Sequence, residues 1–286
     1  ESQMPAVIIL GGVGFIGRNL VKYLVDETDC EPIRVVDKVL PGTAFLNEAH
    51  TAAFDNNRVQ FMQKPLTSPA AIEVAFNEGG VKWDYCINLA GETKYGQGEA
   101  VYKEKILDLA TRCATEAQKV GVGKFIHVSH GQVYEPTKKS KKEDGKLDPW
   151  TTLANFHLEA EKALTKMDLP VIIVRPAITY GPGDSAGITP RLIVAAVYKS
   201  NGKKMKSLWG SDLRLNTVHV HDVCRALWHL CQKGNGGDLY NLADSGDTTQ
   251  GHINGLIAEL FGIKTGYVGK AVLSVAKKFA ESQIAE

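Results

Sequence analysis

Short apolar runs recur along the first two thirds of the chain, and each is followed by a stretch with helical spacing. Residues 6–10, 33–37, 85–89, 125–129 and 171–174 are runs rich in Val, Ile, Leu and Phe, of the length of a buried strand, and 59–62 is a weaker one. Between them, 15–26, 69–78, 99–120 and 151–167 read as helices. Apolar strands alternating with helices predict an α/β protein whose parallel sheet is covered on both faces. Beyond Pro176 the alternation loosens at the turn Tyr180-Gly-Pro-Gly183, leaving strand signals near 215–220 and 239–243 and a helix near 248–261. No internal repeat and no long linker breaks the pattern. The reading is one domain over 1–286, with its main sheet in about 5–180 and a small C-terminal lobe mostly in 181–286.

The turn after the first strand reads Gly11-Gly12-Val13-Gly14-Phe15-Ile16-Gly17 and opens the first helix. Glycines at this spacing allow a tight turn, let backbone N–H groups approach a pyrophosphate, and let the helix pack on the strand. The helix N-terminus adds a favourable dipole. Asp37 ends the second strand, 20 residues past Gly17, where a carboxylate accepts from adenosine ribose hydroxyls. Loop and carboxylate together predict a Rossmann-like doubly wound sheet that binds a nicotinamide dinucleotide. The carboxylate favours NAD over NADP, whose 2′-phosphate it repels; Arg18 and Lys38 lie close in sequence and act against that preference.

Composition narrows the rest. A chain of 286 residues with 44% apolar types supports a large core, and a net charge of +1 gives no global attraction to nucleic acid or to an anionic membrane. No run reaches the roughly 18 apolar residues of a membrane span, and the first strand follows closely on the N-terminus without a secretory leader, so an intracellular, cytoplasmic setting is expected. Cys30, Cys86, Cys113, Cys224 and Cys231 are odd in number and lack C-x-x-C spacing, as expected of reduced thiols. His219 and His221, at i and i+2 on an expected strand, share a face, but spacing supplies no third ligand, and no metal is expected. The lysines of 138–142 and 203–206 carry no interleaved aromatics and read as solvated loops rather than a nucleic-acid surface.

With the glycine loop in place, the chain resembles the extended short-chain dehydrogenase/reductase superfamily, whose members include nucleotide-sugar epimerases and dehydratases and 3β-hydroxysteroid dehydrogenases. The resemblance runs from Ala6 to about Phe261. It is carried by Asn88-Leu-Ala-Gly91, Val128-Ser-His-Gly-Gln-Val-Tyr134, Arg175-Pro-Ala-Ile-Thr-Tyr-Gly-Pro-Gly183, Val218-His-Val-His-Asp-Val223 and Leu239-Tyr-Asn-Leu242. It implies that Leu89, Ala90 and Gly91 lie along the cofactor, with Lys38, Leu66, Val128 and His157 also bordering it. It places Pro176 and Ile178 at the nicotinamide, with backbone near Ile178 holding the carboxamide. Residues after about 180 would form a lobe for a small-molecule substrate, and the helices 99–120 and 151–167 would pair in a homodimer.

The same alignment shows where the chemistry departs. The superfamily reaction couples hydride transfer to proton transfer through a tyrosine phenol, assisted by a lysine one helical turn on and by a Ser or Thr hydroxyl. The tyrosine position falls on Leu153, the lysine position on His157 and the hydroxyl position on His130. An asparagine expected on the helix after the fourth strand falls near Lys105 or Ile106, and Pro65 stands where an acidic residue usually meets adenine. An arginine for a substrate diphosphate has only Arg214 nearby, one residue out of register. Tyr134-Glu-Pro-Thr-Lys138 is the chain's Tyr-x-x-x-Lys, but Pro136 inside it breaks the helix such a pair needs. The candidate catalytic groups are therefore His130, His157 and Tyr134. Three readings follow: a dinucleotide-binding protein with impaired catalysis, an active NAD-dependent oxidoreductase or epimerase with a histidine acid–base site, and a structural subunit of a larger assembly.

Overall fold

The computed structural model describes residues 4–137 and 141–284. The first half runs β1 (Val7–Leu10), α1 (Phe15–Glu27), β2 (Ile33–Asp37), α2 (Glu48–Phe54), β3 (Val59–Gln63), α3 (Pro69–Asn77), β4 (Tyr85–Asn88), α4 (Glu99–Tyr102), a π-helical segment (Lys103–Asp108) and α5 (Leu109–Lys119). It continues with β5 (Lys124–Val128), α6 (Thr152–Leu164), β6 (Val171–Pro176), β7 (Ile178–Tyr180), α7 (Thr189–Ser200), β8 (Met205–Ser207) and β9 (Thr217–His219). The last elements are α8 (Val220–Lys233), β10 (Leu239–Leu242), α9 (Gln250–Phe261), β11 (Thr265–Tyr267) and α10 (Lys270–Ile284). Part of the lysine loop at 138–142 lies outside the described residues.

Seven strands form one sheet in the order β10-β6-β5-β4-β1-β2-β3, every neighbouring pair parallel. This is the Rossmann-like, doubly wound arrangement. The chain builds outward from β1 through β2 to β3, then returns to place β4 on the other side of β1. The loops after β1 and β4 therefore flank the switch point, where a crevice opens beyond the carboxyl ends of the strands. The weak apolar signal of β3 has a physical cause: β3 is the outer strand, and none of its residues is fully buried. Inner strands are buried on both faces. Ile8, Leu10, Val36, Cys86, Phe125 and Ile173 pack into one cluster with Ile72, Ile106, Leu109, Leu153 and Leu164 from the covering helices. Their alternates Val7, Ile9, Ile87 and Ile126 are equally buried.

The chain divides into two compact units, 1–176 with 220–242, and 177–219 with 243–286. The stretch 220–242 belongs to the sheet unit and not to the second one. The reason is α8, an amphipathic helix that buries Val220, Val223, Cys224, Leu227, Leu230 and Cys231 and packs beside α1, together with β10, which extends the sheet next to β6. The strand signal at 215–220 concealed this helix, because α8 begins directly after β9 with no intervening loop. The second unit has its own small core of Ala195, Met205, Ile253 and Ile257, and two short parallel pairs, β7 with β9 and β8 with β11. All five cysteines are free, buried and in the sheet unit. Burial raises their thiol pKa values, to about 11 for Cys30 and about 12 for Cys113 and Cys224.

Candidate dinucleotide site

Each glycine of the first loop answers to a different neighbour. A Cβ on Gly11, whose φ is +78°, would sit 2.8 Å from backbone atoms of Ala90, so the loops after β1 and β4 touch through this residue. A Cβ on Gly12 would fall 2.4 Å from Val35 Cγ1, and one on Gly17 2.5 Å from Gly12 Cα. Those three glycines are required by packing within the protein. Gly14 is not: it is exposed, its φ of −61° suits any residue, and its Cβ would meet nothing closer than the Gly11 carbonyl oxygen at 3.3 Å. The exposed backbone at Gly14, at the N-terminus of α1, suits close approach of a pyrophosphate. Val13 is buried, while Phe15 and Ile16 are half-buried in the first turn of α1.

Asp37 is tied to this loop. Its Oδ2 accepts from the Val13 backbone N–H at 3.0 Å, and its Oδ1 from that of Val39 at 3.0 Å. Arg18 reaches back from α1 to donate to the Val13 carbonyl from Nε at 3.1 Å and Nη2 at 2.8 Å. Burial lowers the Arg18 pKa and the nearby Asp37 partly offsets this, so the arginine stands beside the carboxylate as the sequence placed it. Lys38 is exposed, and its carbonyl accepts from Gln63 Nε2. Leu89 and Ala90 are half-buried and Gly91 exposed at the end of β4. Val128 ends β5 half-buried, whereas the Leu66 side chain belongs to the core. At the expected nicotinamide end, Pro176 ends β6, and the Ile178 backbone N–H donates to the Asn216 carbonyl at 3.0 Å as β7 pairs with β9.

Around the catalytic positions the structure places hydrocarbon and imidazole. Leu153 is 1% exposed, one turn before His157 on α6, and packs in the main core. His157 is buried with Nδ1 unpartnered, and its pKa lies well below the usual value because of burial and the neighbouring His130 and His127. The His130 and His157 rings are 5.7 Å apart, centroid to centroid. His127, in β5, is a further buried imidazole. Its Nδ1 meets Asn88 Nδ2 at 3.1 Å, its Nε2 has no partner, and burial pulls its pKa to about 4. The missing asparagine position falls in the π-helical segment, where Lys105 pairs with Glu92 at 3.5 Å and Ile106 is core. A π turn in a helix frequently marks a functional site.

The expected face of His219 and His221 is not formed. His219 ends β9 and stacks edge-on against Tyr180 at 5.2 Å, while His221 lies in α8 against Tyr23 at 5.7 Å. Among the described residues no group of three or more His, Cys, Asp or Glu converges on a metal position. Arg214 pairs with Asp247, and its neighbour Leu215 packs against the small core of the second unit.

The profile of the NAD dependent epimerase/dehydratase family matches residues 7–243. The chain belongs to that family. It is 25% identical over 243 residues to the low-salt glycan biosynthesis protein Agl12 of Haloferax volcanii, covering 82% of this chain and 76% of that protein. It is 24% identical over 272 residues to a dTDP-4-dehydro-6-deoxy-D-allose reductase of a Streptomyces species, covering 90% and 81%. In fold it is similar to the enzyme WbmG of Bordetella bronchiseptica, solved in complex with NAD, with a TM-score of 0.77, 18% identity and coverage of 94% and 82%.

In this epimerase/dehydratase chain Tyr134 is engaged through its hydroxyl in a polar network. Its hydroxyl donates to Asn241 Oδ1 at 2.8 Å and accepts from Arg175 Nη1 at 2.6 Å, with the guanidinium also 4.9 Å from the centre of its ring. Arg175 completes a buried bidentate pair with Glu161 of α6, at 3.0 Å from Nε and 2.5 Å from Nη2, and the Ser129 hydroxyl donates to the same carboxylate. Burial works against the Arg175 charge, and the bonds to Glu161 more than compensate, so its pKa is raised. This network locks β6, α6, β10 and the turn after β5 together.

Proposed function

We propose that this chain binds NAD(H) and is catalytically impaired toward ordinary carbonyl and alcohol substrates. Binding is supported by Gly14, the one glycine of the phosphate loop that internal packing does not require, and by Asp37 held against the same loop. A bound nicotinamide supplies the hydride donor or acceptor of the family's chemistry. The observation that carries the impairment is Leu153, a buried hydrocarbon where the superfamily pattern puts its phenol; it can neither give nor take a proton. One turn on, His157 is neutral at pH 7, since its pKa is depressed, and provides no fixed cation for a ribose. The test has two arms. Calorimetry with NAD and NADP should show NAD binding the more tightly, and assays of NADH oxidation and NAD reduction across carbonyl, alcohol and nucleotide-sugar substrates should show a trace rate at most.

A second reading, an active enzyme with a histidine acid–base site, is favoured by one observation: the His130 and His157 rings face each other at 5.7 Å and the Nδ1 of His157 has no partner. Robust turnover lost in both His130→Ala and His157→Ala would establish it against the leading reading.

A further inference from the structure

We propose that residues 91–98 form a strap, latched by the hydrogen bond between Tyr95 and Gln132 across the ends of β4 and β5, and that this strap opens to let a dinucleotide enter or leave that half of the crevice. This role rests on the NAD-binding reading and adds a gate to it.

The strap leaves the sheet next to the phosphate loop, because Gly91 follows Ala90, the residue against which Gly11 packs. It ends at Gly98, which precedes α4. Among the described residues, its backbone bonds to no backbone beyond the segment except through the Gly98 carbonyl, which accepts from Val101 and Tyr102. Packing does not require a glycine at either end. A Cβ on Gly91 would meet nothing closer than the Lys105 carbonyl oxygen at 3.8 Å, and one on Gly98 nothing within 4 Å. What glycine supplies there is backbone freedom at the two places where a moving segment would hinge.

Side chains hold the strap in two different ways. Its base is well anchored. Glu92 accepts from the Thr93 and Lys94 N–H groups at 3.0 and 3.1 Å and pairs with Lys105 of the π-helical segment. The buried Tyr102 donates its hydroxyl proton to the Lys94 carbonyl at 2.9 Å and accepts from the Gln97 N–H at 3.1 Å. Its far side is held lightly. Among the described residues one hydrogen bond carries it across to the turn after β5, from the Tyr95 hydroxyl to Gln132 Oε1 at 3.0 Å, and Tyr95 is 56% exposed. A single neutral bond in contact with water is worth little and breaks easily. Gln132 also loses little when it breaks, since the same oxygen lies 3.4 Å from the hydroxyl of Thr151, the cap of α6. In the sheet β5 lies on the far side of β4 from β1 and β2, so the latch lies on the side away from Asp37. A closed strap therefore restricts the β4–β5 half of the crevice and leaves the Asp37 half alone.

The test reads exchange rates rather than turnover. Tyr95→Phe removes only the hydroxyl, and Gln132→Ala only the acceptor. Stopped-flow displacement of bound NADH by excess NAD gives the release rate, and mixing NADH with free protein gives the association rate. Each variant should raise both rates by about three- to tenfold, the worth of one exposed hydrogen bond, and leave Kd nearly unchanged. The double variant should match the single ones, because the two residues share one bond. AMP, which fills only the Asp37 half, should exchange at the same rate in all four proteins. NADH rates that do not change, effects that add in the double variant, or AMP exchange that quickens as much as NADH exchange would each overturn the gate. Hydrogen exchange on the ligand-free proteins reads the latch alone: amides of 93–98 should exchange faster in Tyr95→Phe, and equal exchange overturns the latch. Should NADH fail to bind at all, the gating role falls with the NAD-binding reading, and faster exchange in Tyr95→Phe would still establish the latch.

Discussion

Gly14 and Gly17 stand three residues apart in one loop and should fail in opposite ways. Gly17→Ala drives a Cβ into backbone at 2.5 Å, which no side-chain adjustment relieves, so thermal unfolding should register a loss of about 1–3 kcal/mol or more. Gly14→Leu brings its Cβ no closer than 3.3 Å to the Gly11 carbonyl oxygen, so its melting temperature should fall less than that of Gly17→Ala while NAD binding weakens by about a hundredfold, near 3 kcal/mol, in calorimetry. Asp37→Ala should narrow the gap between NAD and NADP affinities, with Arg18 left beside the pocket. The packing of this loop was legible in the sequence because close backbone approach leaves glycines at fixed spacing. The histidines were legible as residues but not as a cluster, since nothing in the spacing of 127, 130 and 157 tells that burial keeps all three neutral. Their pKa values are depressed in the native state, to about 4 for His127 and His130 and well below the usual value for His157. As pH falls below about 6.5 the unfolded chain takes up protons that the native one refuses, so stability is greatest above that pH and declines toward pH 4. For His127 alone the loss is on the order of 3 kcal/mol by pH 4. Urea midpoints at pH 7.5 and pH 5 should differ accordingly, and His127→Gln should flatten the difference; equal midpoints in the unmodified protein would contradict the burial argument.

At the scale of elements, the strands of the sheet were readable because each is a continuous apolar run between helices. What joins them was not. Glu161 and Arg175 are 14 residues apart, and Tyr134 and Asn241 are 107 apart, so no local pattern announces their network. Glu161→Gln would leave a buried guanidinium without its counter-ion and should cost about 3–5 kcal/mol in denaturant unfolding. Tyr134→Phe should cost about 1 kcal/mol and leave both NAD binding and any turnover untouched, whereas a catalytic tyrosine would lose turnover with binding intact. Helix α8 escaped notice for the opposite reason to the network: its periodicity is strong, but it starts where a strand signal is still running.

For the molecule as a whole, no helix among the described residues is long and apolar enough to cross a membrane. The pairing of α5 and α6 in a homodimer, implied by the resemblance, meets a polar surface. The exposed positions of these helices and the turns leading into α5 include Lys103, Glu104, Gln118 and Lys119 on one side and Asn155, Glu159 and Lys162 on the other, without a single exposed large apolar side chain. Sedimentation at micromolar concentration should therefore show a monomer; a dimer that survives molar salt would mean that another surface, or a rearranged one, does the pairing. The buried thiols have a further use. All five lie in the sheet unit, sealed from solvent and raised in pKa, so none should react with iodoacetamide while that unit stays closed. Alkylation counted by mass spectrometry then becomes a clock that runs only when the sheet opens. The second unit carries no cysteine to start it, and could come apart and re-form many times without leaving a mark.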